Sequence, residues 1–268
     1  MPPTPHPPPL LSLQGLRKAF FGVPVLKGVD LQLRPASVLG LVGENGAGKS
    51  TLMNILGGNI PPDQGRMELD GAVFQPRSPR DAEDAGVAFV HQELNLFPNL
   101  TVGENLLLGR FPTRGPLIHP SRTARLATDA LRRVGLDLDP HRPLESLAPG
   151  EQQLVEIART LTRQPRVLIL DEPTSSLSHR EAARLLELVR QLRSGGLAII
   201  YISHQLDHVL QLADDLLVLR DGERVGHGPA SEFTEARLVQ LMVGRPLSDL
   251  HPRRKGTPDT TPDRKSVV

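Results

Sequence analysis

Cysteine and tryptophan are absent from the 268-residue chain, and tyrosine occurs once. Without cysteine there are no disulfides, no thiolate metal ligands and no thiol nucleophile, a composition that agrees with a cytoplasmic protein. Aromatics at 3% leave little surface for stacking on bases, and a net charge of +1 gives no bulk attraction to nucleic acid or anionic lipid. No nucleic-acid partner is expected. Long apolar runs are also missing, and nothing approaches the about 20 residues of a membrane span. The first nine residues, MPPTPHPPP, lack the basic start of a signal peptide and read as a disordered leader. What is present is 38% hydrophobic residues in a chain long enough for one large domain, or a domain with a subdomain.

The most informative stretch is 38–56, VLGLVGENGAGKSTLMNIL. Its apolar start reads as a buried strand, its glycine-rich centre as a turn, and its end as an opening helix. The turn residues Gly43, Glu44, Asn45, Gly46, Ala47, Gly48, Lys49 and Ser50, with Thr51 behind them, fit a phosphate-binding loop. Such a loop turns its backbone N–H groups inward, and glycines allow the positive φ angles and close approach this needs. The new helix adds partial positive charge at its N-terminus. Lys49 is placed to neutralise β- and γ-phosphates, and the Ser50 hydroxyl to ligate Mg²⁺. This pattern predicts binding of a nucleoside triphosphate.

Segments 10–16 and 25–33 read as strands preceding that loop. Between them Phe20 is the candidate for stacking on an adenine ring, with packing in the core as the competing explanation. After the loop helix, 66–69 and 87–90 read as further strands. The latter runs into His91-Gln92-Glu93, and Gln92 at a strand end is placed to reach Mg²⁺ or a water beside a γ-phosphate. Helical spacing marks 101–108 and 121–134, with Ser121 as the expected N-cap. Leu147-Ala148-Pro149-Gly150 precedes another helix, where Pro149 suits the first turn.

Residues 166–172 form an apolar strand ending in two acids. Asp171 is expected to hold Mg²⁺, and Glu172 to orient or deprotonate the attacking water. A helix over 180–193 stops at Gly195-Gly196. The strand over 197–202 ends in Ser203-His204, where His204 is expected to contact a γ-phosphate. His204 and His208 stand four apart, but no third ligand is evident, so a zinc site is rejected. A hairpin over 216–228 and a helix over 235–242 close the domain. The remainder, 246–268, reads as a linker-like tail.

Five ordered motifs carry a resemblance: GENGAGKST (43–51), the glutamine of VHQE (90–93), LAPGEQQ (147–153), VLILDEP (167–173) and ISH (202–204). Residues 10–245 resemble an ATP-binding cassette (ABC) ATPase. The segments HQELNLFPNLTVGENLLLGR (91–110), GEQQLVEIAR (150–159) and LMVGRPL (241–247) resemble the monosaccharide-importer branch. There the ATPase usually carries two cassettes in tandem, and this chain matches only the first. The resemblance implies an α/β fold, a P-loop NTPase core with an N-terminal antiparallel β subdomain and an inserted helical subdomain near 94–165.

It also implies a peripheral ATPase on the cytoplasmic face of the membrane, using ATP and Mg²⁺, with membrane permease subunits and a solute-binding protein as partners. A second cassette, in a homodimer or on a separate chain, would sandwich ATP head to tail between one phosphate loop and the other's signature helix. Gln92 would sense the γ-phosphate, Glu172 polarise water and His204 steady it. Two departures stand out. Ala148 replaces the usual signature serine, and 175–178, SSLS, has serine where many cassettes place aspartate. Alternatives are a single-cassette remnant that binds ATP without turnover, and a cassette used outside transport.

Overall fold

The computed structural model of the chain describes residues 8–114 and 117–244. Most of the expected leader and all of the expected tail lie outside the described residues. In chain order the elements are β1 (Leu11–Phe20), β2 (Val23–Leu33), β3 (Val38–Val42), α1 (Lys49–Leu56), β4 (Gln64–Leu69), β5 (Ala72–Val73), α2 (Pro79–Asp84) and β6 (Val87–Val90). There follow α3 (Val102–Leu107), β7 (Thr113–Arg114), β8 (Leu117–Ile118), α4 (Pro120–Arg133) and α5 (Pro149–Leu161). The chain continues with β9 (Val167–Asp171), α6 (His179–Ser194), β10 (Ala198–Ile202), α7 (Leu206–Leu212), β11 (Asp215–Arg220), β12 (Glu223–Pro229) and α8 (Glu235–Val243).

Two sheets organise these elements. An antiparallel sheet has the order β2-β1-β4-β5, and a six-stranded sheet has the order β12-β11-β3-β10-β9-β6. In the second sheet β11, β3, β10, β9 and β6 run parallel, and β12 returns antiparallel at one edge. The parallel strands are apolar on both faces, as a sheet covered on two sides requires. Leu39, Leu41, Ile169, Ile200 and Leu217 pack with α1 and the antiparallel sheet. Val38, Val42, Leu168, Leu170, Tyr201 and Leu216 face the other way, into a second core shared with α3 to α8. The period-two alternation of strands produces both layers from the same short runs.

Some local expectations are corrected. β1 runs on to Phe20, well past residue 16. Ser121 is not an N-cap: His119 takes that position, Pro120 opens α4, and the Ser121 hydroxyl lies 3.3 Å from His119 Nδ1. Pro at the first helical position replaces the cap because its missing N–H removes one orphan donor. Helices α2 and α7 are additions to the sequence reading. Each is short, at 6 and 7 residues, so helical periodicity barely registers.

Helix α3 begins with a complete capping box, in which Thr101 and Glu104 satisfy each other's backbone N–H groups. Asn105, fully buried, accepts from Phe97 N at 2.7 Å and donates to Phe97 O and Thr101 O, both at 3.0 Å. One side chain thereby fixes the loop that connects the strand end at Gln92 to the helical layer.

Candidate active site

Strands β3, β10 and β9 are neighbours, so their C-terminal ends bring three sequence-distant segments to one sheet edge. After β3 the chain forms the loop 43–48, tightened by an Ala47 N–H to Glu44 O hydrogen bond of 3.1 Å. Gly46 and Gly48 adopt φ of +83° and +105°, in the left-handed region. Gly48 is also the N-cap of α1, where a Cβ would meet Leu26 Cδ2 at 2.8 Å. The loop is clasped from outside by a turn far along the chain, itself tied to β2. Gly222, in the β11–β12 turn, donates to Ala47 O at 3.2 Å and accepts from Lys27 N of β2 at 2.9 Å.

Lys49 opens α1 and folds its ammonium back over the loop, donating to Gly43 O at 2.6 Å and Glu44 O at 3.1 Å. Burial pushes its pKa down, while the nearby Glu172 and Asp171 carboxylates oppose that shift. Ser50 is exposed and Thr51 half-buried behind it.

Asp171 ends β9 beside Ile202 of β10. Burial raises its pKa, and the adjacent Glu172 carboxylate raises it further, against the lowering influence of His91 and Lys49. Glu172 follows with φ of +50°, and its N–H donates to Ile202 O at 2.9 Å, prolonging the ladder by one residue. That backbone turn aims the side chain toward the β10 end. Glu172 Oε2 lies 2.5 Å from His204 Nδ1, a close pair without hydrogen-bond alignment. The carboxylate is 16% exposed and the imidazole 65%, so the pair sits at the lip of the sheet edge.

A polar cluster under this lip was not anticipated. The Tyr201 hydroxyl is 3.5 Å from Thr174 Oγ1, which in turn is 3.4 Å from both Gln205 Oε1 and His208 Nδ1. Tyr201 is fully buried, and burial pushes its pKa up to about 12, so it remains a neutral hydrogen-bonding group. His208 therefore belongs to this support, while His204 turns to Glu172. The i,i+4 spacing signalled a shared face but not which partners each ring would find.

Gln92 lies exposed on the bend after β6, the strand next to β9. No hydrogen bond joins it to the other candidates among the described residues. His91 before it stacks on Phe89, with ring centroids 5.7 Å apart. Phe20 ends β1 at the tip of the β1–β2 hairpin and is 38% exposed, so core packing does not account for it. Lys18 Nζ stands 5.7 Å from its ring centroid.

The 147–153 segment places Ala148 as the exposed N-cap of α5, with no side-chain acceptor of its own. Only half of a capping box exists there, from Ala148 N to Glu151 Oε2 at 3.1 Å. On the far side of β6 a groove of about 570 Å³ runs between the sheet and α5, lined in part by His91, Leu94, Leu96, Phe97, Glu156 and Arg159.

The oxygen donors near the loop suit a hard divalent cation. They are a hydroxyl at Ser50, on the first turn of α1, and a carboxylate at Asp171, which feels the Lys49 charge, while the Gln92 amide is exposed at the end of the adjoining strand β6. Burial first, and the neighbouring Glu172 carboxylate second, raise the Asp171 pKa, and a bound cation would offset both.

Sheet order, loop geometry and paired strand-end acids together define a P-loop nucleotide-binding domain. The family model described as ABC transporter matches residues 26–175, and the chain belongs to that family. It is 46% identical over 249 residues to a ribose/galactose/methyl galactoside import ATP-binding protein of Burkholderia ambifaria, covering 93% of this chain and 48% of that one. A ribose import ATP-binding protein of Rubrobacter xylanophilus is 47% identical over 253 residues, covering 92% and 49%. The chain thus spans about half the length of the curated relatives it matches. Among solved structures, an ATP-binding cassette of an ABC transporter in its ADP conformation superposes with a TM-score of 0.77. Identity is 25%, over 88% of this chain and 99% of that one. The cbiO1 protein of Clostridium perfringens, part of an ABC transporter complex, gives 0.76 at 26% identity, over 91% and 99%.

Proposed function

We propose that this cassette hydrolyses ATP to drive uptake of a monosaccharide of the ribose, xylose or galactose type through membrane permease subunits. The observation that carries the reading is the Glu172–His204 pair beside the Lys49 loop. It puts a base and a steadying imidazole at the edge where the loop would present a γ-phosphate. The names of the relatives supply the substrate class, and the permease, not this chain, selects the sugar.

In this reading the loop amides of residues 43–48 cradle the phosphates, and Phe20 stacks on the adenine from the hairpin tip. Lys49 exchanges its loop carbonyls for phosphate oxygens. Ser50, Asp171 and Gln92 would hold Mg²⁺, which when bound screens phosphate charge. Glu172 takes the proton of the attacking water while His204 keeps it in line. Lys49 and the α1 N-terminus offset charge that develops on the γ-phosphate. The groove beside β6 receives the permease, and Gln92, next to His91 of its lining, links nucleotide state to docking. A solute-binding protein delivers the sugar outside, and the cassette itself lies on the inner face of the membrane.

The half-length match favours a second element of the reading. Turnover requires a second cassette, whose signature helix faces this loop. Domain limits follow: a cassette over 10–245, with a helical subdomain near 94–165. Mg²⁺-dependent hydrolysis measured across protein concentration tests both elements. A rate per chain that rises with concentration and disappears in Glu172→Gln indicates self-assembly into working sites. ATP binding with no turnover at any concentration means that a different cassette completes the site. Loss of ATP binding altogether would overturn the proposal.

A further inference from the structure

One carboxylate outside the residues given roles above joins two segments that the chain turns outward. Helix α5 begins Pro149-Gly150-Glu151 behind Ala148. Pro149 has no N–H, and the Ala148 N–H is engaged by Glu151 Oε2. The next donor is the Gly150 N–H, and it points to Glu181 Oε1 at 3.2 Å, 31 residues further along. The other oxygen, Glu181 Oε2, accepts from the Ser178 hydroxyl at 2.6 Å and from Ser178 N at 2.9 Å, forming the capping box of α6. A Cβ at position 150 would collide with this carboxylate, so glycine is what allows the approach. The Ser178 hydrogen bonds, with a smaller contribution from Gly150, hold Glu181 below the usual carboxylate range, and it is charged at neutral pH.

We infer that Glu181 is a positioning residue that occupies the Gly150 amide in the unpaired chain and releases it when the signature helix meets the γ-phosphate held by a partner cassette. This rests on the head-to-tail pairing proposed above. A helix N-terminus favours an anion, and a carboxylate and a phosphate oxygen compete for the same N–H. Two anions cannot share it at hydrogen-bond distance without strong repulsion. Ala148 sharpens the competition, because it offers no hydroxyl as a substitute donor. The Gly150 and Glu151 amides are then the first-turn donors left for an incoming phosphate. Release leaves α6 intact, since its capping box uses the other carboxylate oxygen.

The test compares Glu181→Ala and Glu181→Gln with Ser178→Ala, which disturbs the α6 cap but keeps the carboxylate. Hydrogen exchange of the 148–153 peptide in the nucleotide-free chain is expected to speed up in Glu181→Ala and to stay unchanged in Ser178→Ala. Self-association with a non-hydrolysable ATP analogue and Mg²⁺, read by sedimentation, is expected at about tenfold lower protein concentration for both Glu181 variants. That is the scale of one charge-assisted hydrogen bond. Unchanged exchange, or association that weakens in the Glu181 variants, overturns the inference. If no variant associates although exchange responds as expected, self-pairing fails and release on pairing is overturned with it, and only the resting Glu181–Gly150 contact stands.

Discussion

Two carboxylates and one glycine make separable demands on the cassette. Glu172→Gln keeps the shape and removes the base, so hydrolysis is expected to fall by about 10²- to 10⁴-fold with ATP affinity retained, as single-turnover and equilibrium binding assays would show. Gly48→Ala forces a side chain onto a φ of +105° and against Leu26. Strain of about 1–2 kcal/mol is expected, with a lower Tm and weaker nucleotide binding. Glu156 is 4% exposed, one of its oxygens is unpartnered, and burial raises its pKa against the pull of Arg159. A carboxyl with a raised folded pKa stabilises the fold at low pH and loses that contribution as pH climbs through the folded value. Glu156→Gln should therefore melt like the parent below about pH 4 and above it at neutral pH. Thermal melts across that range check the sign.

At the scale of elements, the start of α5 carries only half of a capping box. Ala148→Ser would complete the capping box with Glu151 and is expected to add about 1 kcal/mol of stability. The same hydroxyl would face a partner's γ-phosphate, raising turnover by about tenfold wherever this signature is used. Denaturant midpoints and hydrolysis rates separate the two effects. The elements most legible in the sequence were those with long, regular patterning. The parallel strands β3, β6, β9 and β10 stand out as apolar runs, and the acids and histidine at their ends follow because strand ends share one sheet edge. Less legible was anything set by a contact across the chain. The Thr174–Tyr201–His208 cluster depends on the packing of α7, whose 7 residues carry almost no periodic signal. The Ser178-x-x-Glu181 spacing announces a cap on α6, yet nothing local announces Gly150 as a second ligand of that carboxylate. Phe20 was ambiguous because an alternating strand does not reveal how far it outruns the core.

Across the whole molecule, the edge strand β6 leaves the sheet open toward the groove that α5 and the 94–97 segment enclose. Phe97 is exposed there while its backbone is held by Asn105, a rigid mount for an apolar side chain. If a permease docks there as proposed, Phe97→Ala is expected to weaken that association and any stimulation it gives, with nucleotide binding by the isolated cassette unchanged. Co-purification and stimulated hydrolysis measure this directly. The clasp on the phosphate loop has a different reach. Every residue proposed to touch nucleotide lies before position 205, but the bonds from Gly222 to Ala47 and Lys27 come from the β11–β12 hairpin. The cassette is consequently indivisible in an unobvious place. A chain cut after residue 213 keeps all five motifs yet also loses β11, the neighbour of β3, and with it the outer wall of the loop. Gene fusions, split reporters or circular permutants built on motif boundaries would break the protein there, whereas a cut at the Phe20–Gly22 hairpin tip leaves the clasp whole.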